Sequence, residues 1–457
     1  VHSNLTPKQR DIAWSNAKDG LTPIIIGPRS AVFSPNSNLG MIIIDEEHDG
    51  SYKQDSHPRY HTHRIARLRC RFHNVPLVLG SATPSINTFK LCKYSEETTI
   101  KRSYSHLSQR ATGSTLPNVT VLDMSEEAQS KHPSISQALV DKIKEKIEAK
   151  EKVLLLLNRR GFAPYIVCQR CKEVHVCPSC DLSYTYHQDK SFRCHRCDIT
   201  LPVSHTCQKC KKPGLAFQGT GIQKVESACR DLFQEAHILR LDKDTAKTAK
   251  QMEAILTEFK QKGDILIGTQ LISKGHHIED ITFVGVLGID TSLNLPDYSS
   301  SEQAFQLLMQ VSGRAGRGAK SGEVMIQSLQ ADHYAIESAS KQDFFGFIEQ
   351  ELEFRQQLNY PPFCTITHVI FSSMNKEELS DYCASVRAFC NDNKPDGVLV
   401  MGPKPAPFEK VRLHWRYHVL IKHDESGHEA VNAFIACFPK ASKNIRVIID
   451  KDPQQLL

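Results

Sequence analysis

The sequence contains no apolar run close to the ~20 residues that a membrane-spanning helix requires, and runs such as Val153–Leu157 are far shorter. It also has no charged-then-apolar leader, no low-complexity tract and no internal repeat apart from paired cysteines. We therefore expect no membrane partner and a cytoplasmic location. The chain begins Val1-His2 without an initiator Met, so we expect a fragment whose beginning lies upstream.

Neither sign of charge dominates the composition. The net charge of +6 is compatible with a polyanionic partner but does not require one. Hydrophobic residues make up 40% of the chain and charged residues 24%, which is typical of a globular protein and excludes a disordered one. A length of 457 residues is enough for about three domains, each with its own core.

The first part of the chain alternates short apolar runs with helical patterns. We predict helices at Lys8–Lys18 and His63–Phe72, and strands at Ile24–Ile26, Met41–Ile44 and Leu77–Leu79. Apolar strands that alternate with helices favour a parallel sheet covered on both faces. The polar stretch 94–116 follows as a connection, so residues 1–116 form an incomplete first lobe with its connection.

A second α/β series follows and surrounds a cysteine-rich insertion. An amphipathic helix is predicted at Ser136–Lys150 with Ser136 as its cap. Apolar runs then predict strands at Val153–Leu157, His237–Leu241, Ile265–Ile267, Phe283–Leu287 and Val324–Gln327. The predicted second lobe therefore comprises residues 117–167 and 213–332, and residues 168–212 form the insertion.

The last part of the chain follows a different pattern. Between Thr365 and Ile449 the sequence predicts the succession β-α-β-β-α-β. This succession indicates a ferredoxin-like sandwich, so we assign residues 333–457 to a C-terminal α+β domain. The predicted fold class is α/β, with two parallel-sheet lobes of which the first is incomplete.

The strand Gly40–Ile44 runs directly into Asp45 and Glu46. A buried strand delivers its last residues to the carboxyl edge of a parallel sheet, where ligands of α/β folds bind. There Asp45 can hold Mg²⁺ and Glu46 can orient and deprotonate a water molecule for phosphoryl transfer. Taken alone, the pattern is equally typical of a strand that ends in an acidic turn.

Three further motifs follow in the order expected of a nucleotide-driven motor. A turn with two hydroxyl residues, Leu79–Pro84, follows the next strand, then Gly268–Gln270, and then Gln310–Arg317. Arg314 and Arg317 lie one helical turn apart, so both guanidinium groups can face one phosphate. An arginine pair alone usually belongs to a solvated surface, but this order over two α/β series predicts an ATPase motor.

The phosphate-binding loop G-x-x-x-x-G-K-[ST] that such motors require is missing from the sequence. The nearest match, Gly313 to Gly318, continues with Ala319 before Lys320 and lies within the arginine motif. We therefore expect the loop to lie upstream, and we expect these residues alone to show no DNA-stimulated ATPase activity.

Eight of the 15 cysteines form four C-x-x-C pairs, Cys168/Cys171, Cys177/Cys180, Cys194/Cys197 and Cys207/Cys210. Two such knuckles complete one tetrahedral Cys₄ site, so eight thiolates predict two structural Zn²⁺ ions. An iron–sulfur cluster is the weaker alternative. Spacing does not fix the pairing, but a compact block favours nesting, with Cys168, Cys171, Cys207 and Cys210 as one site and Cys177, Cys180, Cys194 and Cys197 as the other.

Together these motifs resemble the primosomal protein N′ family, the bacterial replication-restart helicases of superfamily 2. The resemblance rests on Ile26–Ala31, on DEEHD (Asp45–Asp49) with Ser51–Gln54, on LGSATPS (Leu79–Ser85), on the cysteine pairs and on QVSGRAGR (Gln310–Arg317). It implies two RecA-like lobes, ATP and Mg²⁺, and 3′→5′ unwinding of forked and single-stranded DNA. It also implies single-stranded DNA-binding protein and primosome proteins, including the replicative helicase loading machinery, as partners.

The resemblance also implies roles for individual residues. Asp45, Glu46, Arg314 and Arg317 become the hydrolysis residues. The residues implied to sense the nucleotide are Glu47, His48, Ser81, Thr83 and Gln310. Those implied to contact DNA are His2, Ser3, Arg29, Ser30, Tyr52, Lys53, Arg59, Tyr60, Thr269, Gln270 and Lys274.

The sequence departs from the family pattern at several positions, which are Pro28, His63-Arg64, Ile222-Gln223, Ser299 and Gln303. These changes leave the hydrolysis residues intact, but they affect residues implied in DNA binding and in its coupling to ATP hydrolysis. Two other classes remain open. One is a RecQ-like or RecG-like motor, against which the eight cysteines argue, and the other is a non-enzymatic zinc scaffold that binds DNA or replication proteins.

Overall fold

The computed structural model describes residues 5–93, 102–107, 116–126, 131–132, 134–157, 165–171, 173–177, 184–187, 191–194, 199–202, 206–218, 222–242, 245–269, 281–315 and 322–456. The chain divides into two compact units, Val1–Tyr104 (unit 1) and Ser105–Leu457 (unit 2). No helix in these ranges is both long and apolar enough to cross a membrane. The predicted boundary at residue 116 stays a prediction, because residues 108–115 lie outside the described ranges.

Unit 1 contains two parallel strands, β1 (Ile42–Ile44) and β2 (Leu77–Leu79), with Ile42 opposite Leu77 and Ile44 opposite Leu79. Its helices are α1 (Pro7–Lys18), α2 (Thr62–His73) and α3 (Ile86–Lys93). Parallel strands need a crossover connection, and α2 lies within the one between β1 and β2. Ala66 of α2 packs with Val32 and Ile44 in a small core.

The prediction of a strand at Ile24–Ile26 is wrong. These residues have no regular secondary structure, and the side chains of Ile24 and Ile26 are 74% and 83% exposed. A strand needs a neighbour for its backbone hydrogen bonds, and in the described part of unit 1 the sheet consists of β1 and β2 alone. Apolar composition was therefore not enough to form a strand here.

Unit 2 is built on a six-stranded parallel sheet, as predicted for the second lobe. Its strands are β3 (Asn118–Asp123), β4 (Lys152–Leu157), β10 (Ile238–Leu241), β11 (Ile265–Gly268), β12 (Ile281–Leu287) and β13 (Glu323–Ser328). They lie in the order β10-β11-β4-β12-β13-β3. The central strand β12 is buried along its whole length, which explains its continuous apolar sequence.

Four helices pack on this sheet, namely α4 (Gln137–Glu148), α5 (Ile222–Leu232), α6 (Ala249–Lys262) and α9 (Tyr334–Ser340). Three more, α7 (Asp290–Leu293), α8 (Ser300–Ser312) and α10 (Phe344–Gln357), pack on neighbouring helices. The Ser136 hydroxyl accepts from the Leu139 amide at 3.1 Å, which confirms Ser136 as the cap of α4. Leu139 then joins the core with Leu155 and Phe283.

The cysteine-rich insertion begins and ends side by side. Its described strands are β5 (Tyr165–Cys168), β6 (Thr185–His187), β7 (Ser191–Arg193), β8 (Thr200–Pro202) and β9 (Leu215–Gln218). The first and last, β5 and β9, pair antiparallel from Tyr165 opposite Gln218 to Cys168 opposite Leu215. The insertion therefore leaves the lobe through a two-stranded stem and returns through the same stem.

The C-terminal part follows the predicted β-α-β-β-α-β succession. It comprises β14 (Thr365–Ser373), α11 (Lys376–Asn393), β15 (Leu399–Val411), β16 (His414–His423), α12 (His428–Ala436) and β17 (Arg446–Lys451). The strands form an antiparallel sheet in the order β15-β16-β14-β17. Val369, Phe371, Val419 and Ile421 pack beneath α11 and α12, and the opposite face buries Ile366 and Leu420 against Tyr298 and Tyr360.

Candidate functional site

The two strands of unit 1 end at one edge, and their following residues are joined by backbone hydrogen bonds. The Gly80 amide donates to the Ile44 carbonyl at 2.8 Å, and the Glu47 amide donates to the Gly80 carbonyl at 3.0 Å. Asp45 and Glu46 are exposed at this edge. Carboxylate oxygens are the ligands that Mg²⁺ prefers, so these side chains suit a magnesium-bound phosphate group.

His48 connects this acidic segment to the turn after β2. Its Nδ1 lies 2.6 Å from the Ser81 hydroxyl and 3.6 Å from a carboxylate oxygen of Glu46. The Ser81 hydroxyl also accepts from the Thr83 amide at 3.0 Å, and Thr83 is buried. The four predicted residues Glu46, His48, Ser81 and Thr83 therefore form one contiguous group. A movement of the Glu46 side chain can be transmitted through His48 to the turn after β2.

Glu47 points away from solvent and binds the start of α3. It accepts from the Ser85 amide at 2.5 Å, from the Ser85 hydroxyl at 3.1 Å and from the Thr88 hydroxyl at 2.9 Å. Its carboxylate also lies 3.3 Å from Nε2 of His63. Burial raises the pKa of Glu47, but His63 and the Ser85 and Thr88 donors outweigh it and leave that pKa below its usual value. Glu47 is thus a charged anchor.

Two histidines extend this anchor toward the loop 49–61. His61 Nδ1 caps α2 and lies 2.9 Å from Nδ1 of His63. Burial, and then the neighbouring His63, Lys53 and Arg67, lower the pKa of His61 to about 3, so this ring is neutral at pH 7. Neither histidine was among the predicted site residues. His63 is a departure from the family pattern, and its contact with Glu47 gives that departure a physical role.

The loop 49–61 is held at both ends. Lys53 and His61 form an antiparallel bridge, the Tyr52 hydroxyl donates to the Asp45 carbonyl at 2.7 Å, and Arg29 donates to the Ser51 and Lys53 carbonyls at 2.9 and 2.8 Å. Lys53 is buried. Arg29 and Lys53 were predicted as DNA contacts, and both also have structural positions that brace the loop.

The ring of Tyr60, another predicted DNA contact, lies edge-on to Phe33 with centroids 5.0 Å apart. Phe33 ends the short 3₁₀ turn Arg29–Phe33, which also contains Ser30. Arg59 is partly exposed beside Tyr60. The turn and the loop therefore pack together, which brings six of the predicted DNA contacts onto neighbouring segments.

In unit 2 the predicted motor residues follow the ends of secondary-structure elements. Thr269 follows β11, and Gln310 lies in the last turn of α8. The helix ends at Ser312 with Gly313 as its C-cap, and the Arg314 amide donates to the Val311 carbonyl at 2.9 Å. Helix α8 therefore determines where Arg314 lies.

A buried network fixes the beginning of that helix. Arg355, 1% exposed, donates from Nη2 to Glu302 at 2.7 Å and from Nε to Glu351 at 2.8 Å. Asp297 accepts from the Ser299 amide at 2.9 Å and from the Leu456 amide at 2.5 Å. The arginine motif is thus connected to α10 and to the last described residues of the chain.

Two departures from the family pattern lie at this junction. The Ser299 hydroxyl donates to the Asp297 carboxylate at 2.6 Å, lies 3.4 Å from the Gln454 carbonyl and accepts from Gln303 at 2.7 Å. Gln455 in turn donates to Gln303 at 3.1 Å. Ser299 and Gln303 therefore support a neutral contact with the C-terminal segment, a role that spacing alone did not reveal.

The outer cysteines gather into one cluster. The Sγ atoms of Cys168, Cys171, Cys207 and Cys210 all lie within 4.8 Å of one another, with 3.8 Å between Cys168 and Cys210 and 3.6 Å between Cys171 and Cys207. Zn–S bonds of ~2.3 Å in a tetrahedron place sulfur atoms about 3.8 Å apart. The cluster therefore fits a four-coordinate zinc ion.

The pKa values of two of these thiols shift in opposite directions. Despite an amide hydrogen bond from Glu173, burial and the neighbouring thiols raise the pKa of Cys171 to about 12. Burial raises the pKa of Cys168, but amide hydrogen bonds from Cys171 and Arg170 outweigh it and bring that pKa down to about 7. Since a thiolate is the metal ligand, a lowered thiol pKa favours binding near neutral pH. Of the inner cysteines, Cys177 and Cys194 are buried in one cluster with Tyr184 and Phe192.

Several predicted site residues lie outside the described residues, so their positions stay predictions. They are His2, Ser3, Cys180, Cys197, Gln270, Lys274 and Arg317.

Two known families match parts of the chain. Residues 217–319 match the helicase conserved C-terminal domain, and residues 356–454 match the primosomal protein N C-terminal domain. Replication restart protein PriA of Bacillus subtilis (strain 168) is 37% identical over 430 residues, which are 93% of this chain and 52% of that protein. Replication restart protein PriA of Rickettsia typhi (strain ATCC VR-144 / Wilmington) is 34% identical over 460 residues, 99% of this chain and 69% of that protein.

The chain thus spans between 52% and 69% of the length of these two relatives. Among solved structures, that of RecG bound to a three-way DNA junction is similar at 12% identity with a TM-score of 0.39. The similarity covers 77% of this chain and 35% of that one, and it is too slight to carry an argument.

Proposed function

The chain belongs to the family of replication restart proteins named PriA, and from this premise we propose that it works in an ATP-dependent DNA helicase that remodels stalled replication forks. The observation that carries the proposal is the group at the edge of β1 and β2, where exposed carboxylates contact the hydroxyl turn after β2 through His48. This arrangement links a magnesium-binding edge to a segment that can respond to the nucleotide.

In the proposed hydrolysis, Asp45 holds Mg²⁺ and Glu46 orients and deprotonates the attacking water. Mg²⁺, when bound, neutralises charge on the transferred phosphate group. Arg314 and Arg317 are proposed as arginine fingers, which add positive charge to a transferred phosphate group. The support for Arg314 is its position directly after α8, a helix anchored at its other end by Arg355.

Contact with the DNA strand is proposed for the loop 49–61 and the turn Arg29–Phe33. The support is that the Tyr52 hydroxyl donates to the Asp45 carbonyl, so a displacement of the loop can shift Asp45 and Glu46. Glu47 and His63 support the same coupling from the other side, because they join α3 to α2. In this proposal Arg29 and Lys53 position the loop, and Arg59 and Tyr60 touch the strand.

We propose two structural Zn²⁺ ions in the cysteine-rich insertion. The support for the first is the tetrahedral spacing of the outer four thiols. The support for the second is that Cys177 and Cys194 share one buried cluster. Both sites use four protein ligands and leave no open position, so we assign these ions to folding and not to hydrolysis.

The C-terminal domain is proposed to be a ferredoxin-like sandwich, on the support of its strand order β15-β16-β14-β17. Family membership alone supports work in the bacterial cytoplasm with single-stranded DNA-binding protein and the replicative helicase loading machinery. It also supports 3′→5′ movement. Duplexes with a 3′ or a 5′ single-stranded tail test the direction, since a 3′→5′ motor unwinds the duplex with the 3′ tail.

The decisive experiment is fork unwinding by a polypeptide that joins this chain to a phosphate-binding loop. We expect Glu46→Gln to slow unwinding by about 10²-fold or more, the usual contribution of a general base, with unchanged fork binding. Glu148→Gln, which removes an equivalent exposed carboxylate from α4, is the matched control and should behave as wild type.

Unchanged unwinding by Glu46→Gln would refute the role of Glu46. DNA-stimulated ATP hydrolysis by the 457-residue chain alone would refute the requirement for a separate phosphate-binding loop. Fork binding without hydrolysis, even after the loop has been joined, would favour the zinc scaffold over the motor.

A further inference from the structure

A cavity of about 730 Å³ opens where α11 runs beside β15 and β16. Four cationic side chains line it, Arg193 from the cysteine-rich insertion together with Lys376, Arg387 and Arg416. The single carboxylate of the lining is Glu409. The cavity is therefore strongly positive, and its charges come from two parts of the chain that are far apart in sequence.

Most of this charge is not neutralised by the protein. In the described part of the chain, none of Lys376, Arg387 and Arg416 forms an ion pair with a carboxylate. Arg387 donates only to the Pro403 carbonyl. Burial lowers the pKa of Arg416, because no neighbouring anion offsets its loss of water. A partly buried cation without an anion indicates that an external anion completes the site.

Aromatic rings lie beside these cations. Trp415 and Tyr417 line the cavity, and the ammonium groups of Lys376 and Lys410 lie 4.3 and 4.8 Å from the centre of the indole. Cations along a groove with aromatic rings between them are typical of single-stranded nucleic-acid sites. A duplex is too stiff to follow a concave wall of this size. Trp415 and Tyr417 pack on the core on one side and are only partly buried, so their remaining surface suits the flat bases of a single strand better than an acidic peptide.

We propose that this cavity binds a short stretch of single-stranded DNA outside the motor, with Lys376, Arg387 and Arg416 on phosphates and Trp415 next to a base. The inference rests on the proposed function only in taking DNA as the polyanion. Since Arg193 belongs to the insertion, the bound strand also joins the insertion to the C-terminal sheet. None of these residues lies in a motor motif, so the cavity is a second binding site for the strand.

The sequence offers a direct reporter, because Trp14 and Trp415 are its two tryptophans. In a Trp14→Phe background, the fluorescence of Trp415 is titrated with the oligonucleotide (dT)₁₀ in the absence of ATP. We expect saturable quenching. Arg416→Gln should weaken binding about tenfold, since a charge-assisted hydrogen bond is lost. It should also reduce the slope of log K against log salt concentration by about 0.7, the value for one phosphate contact on a single strand.

Lys376→Gln, at the exposed start of α11, should have a similar effect and keeps the test valid if Arg416→Gln fails to fold. Lys440→Gln removes one exposed charge from the same domain outside the cavity and should leave the affinity unchanged. Absence of quenching, or equal affinity of all three variants, would overturn the proposal. So would tighter binding of a ten-residue poly-aspartate peptide or of a ten-base-pair duplex. Because ATP is absent, these results are independent of whether the motor assignment holds.

Discussion

Replacing Arg355 by Met tests how much of unit 2 depends on the buried network between α8 and α10. Arg355 donates to Glu351, to Glu302 and to the Pro361 carbonyl, at 2.8, 2.7 and 3.1 Å. Glu351 is 0% exposed, and the Glu302 side chain is 12% exposed. The substitution preserves much of the apolar stem but leaves two carboxylates without their cation.

Removing one partner of a buried ion pair costs about 3–5 kcal/mol. Unit 2, Ser105–Leu457, has roughly 350 residues and at about 2.1 cal/mol/K for each residue an unfolding entropy of about 0.7 kcal/mol/K. The melting midpoint should therefore fall by about 4–7 °C. Adding Glu351→Leu to the variant should recover part of this loss, because the uncompensated charge is then removed.

Thermal unfolding followed by Trp415 fluorescence in a Trp14→Phe background reports on unit 2 alone. Arg230→Met is the matched control, since the Arg230 side chain is 57% exposed and its ion pair with Glu226 lies at the surface. Such a pair contributes about 1 kcal/mol or less. If Arg355→Met melts within about one degree of Arg230→Met, the network does not stabilise the unit and the reasoning fails.

Three further predictions follow from the site and the core. Cys207→Ser should lower the zinc measured by elemental analysis from two ions to one per chain, whereas the exposed Cys437→Ser should retain both; unchanged zinc would contradict the outer cluster. Because the pKa of Glu47 is lowered, its stabilising effect is complete above about pH 4.5 and disappears as pH falls through the folded value. Glu47→Gln should therefore flatten the acid-induced loss of unit 1 stability, monitored by its tryptophan, and an unchanged pH profile would argue against this. Gly285→Ala places a Cβ 2.7 Å from Leu155 and should cost about 1–3 kcal/mol in urea unfolding, unless the leucine can move freely.

Local patterns predicted the interior of the second lobe well. The strand predicted at Phe283–Leu287 is confirmed within β12, and the Ser136 cap is confirmed for α4. Both depend on short-range signals, namely a continuous apolar run and a hydroxyl before an amphipathic repeat. The assignment of the outer cysteines to one zinc site stays a prediction, and the structure is compatible with it because their four Sγ atoms lie within 4.8 Å of one another.

Elements that depend on distant partners were missed. Strand β3 was not predicted, because its only neighbour in the described sheet is β13, with Asn118 opposite Glu323. Strand β15 was predicted only as far as Met401, since Pro403 and Pro405 argue against a strand. It is an edge strand whose register shifts beside these prolines, which is where a sheet tolerates them.

The buried contacts of the candidate site were missed for the same reason. Nothing local in the sequence connects Glu47 with Thr88, which lies 41 positions further along the chain. Nor does any spacing connect Asp297 with Leu456. Such contacts pair side chains of common types across folded elements, so only the folded chain identifies them, whereas the regular spacing of C-x-x-C pairs is visible beforehand.

The stem formed by β5 and β9 has a consequence for how this protein can be altered. Because β5 and β9 pair side by side, the whole insertion is connected to the lobe in the same way as a single β-hairpin. The module beyond Cys168 can therefore be exchanged, shortened or acquired in evolution without changing the order of the parallel sheet. Grafting the stem with its cysteine module onto another lobe requires two chain ends at the spacing of one strand pair, about 5 Å. It also requires a surface that replaces Leu329, which packs with Val174 of the module.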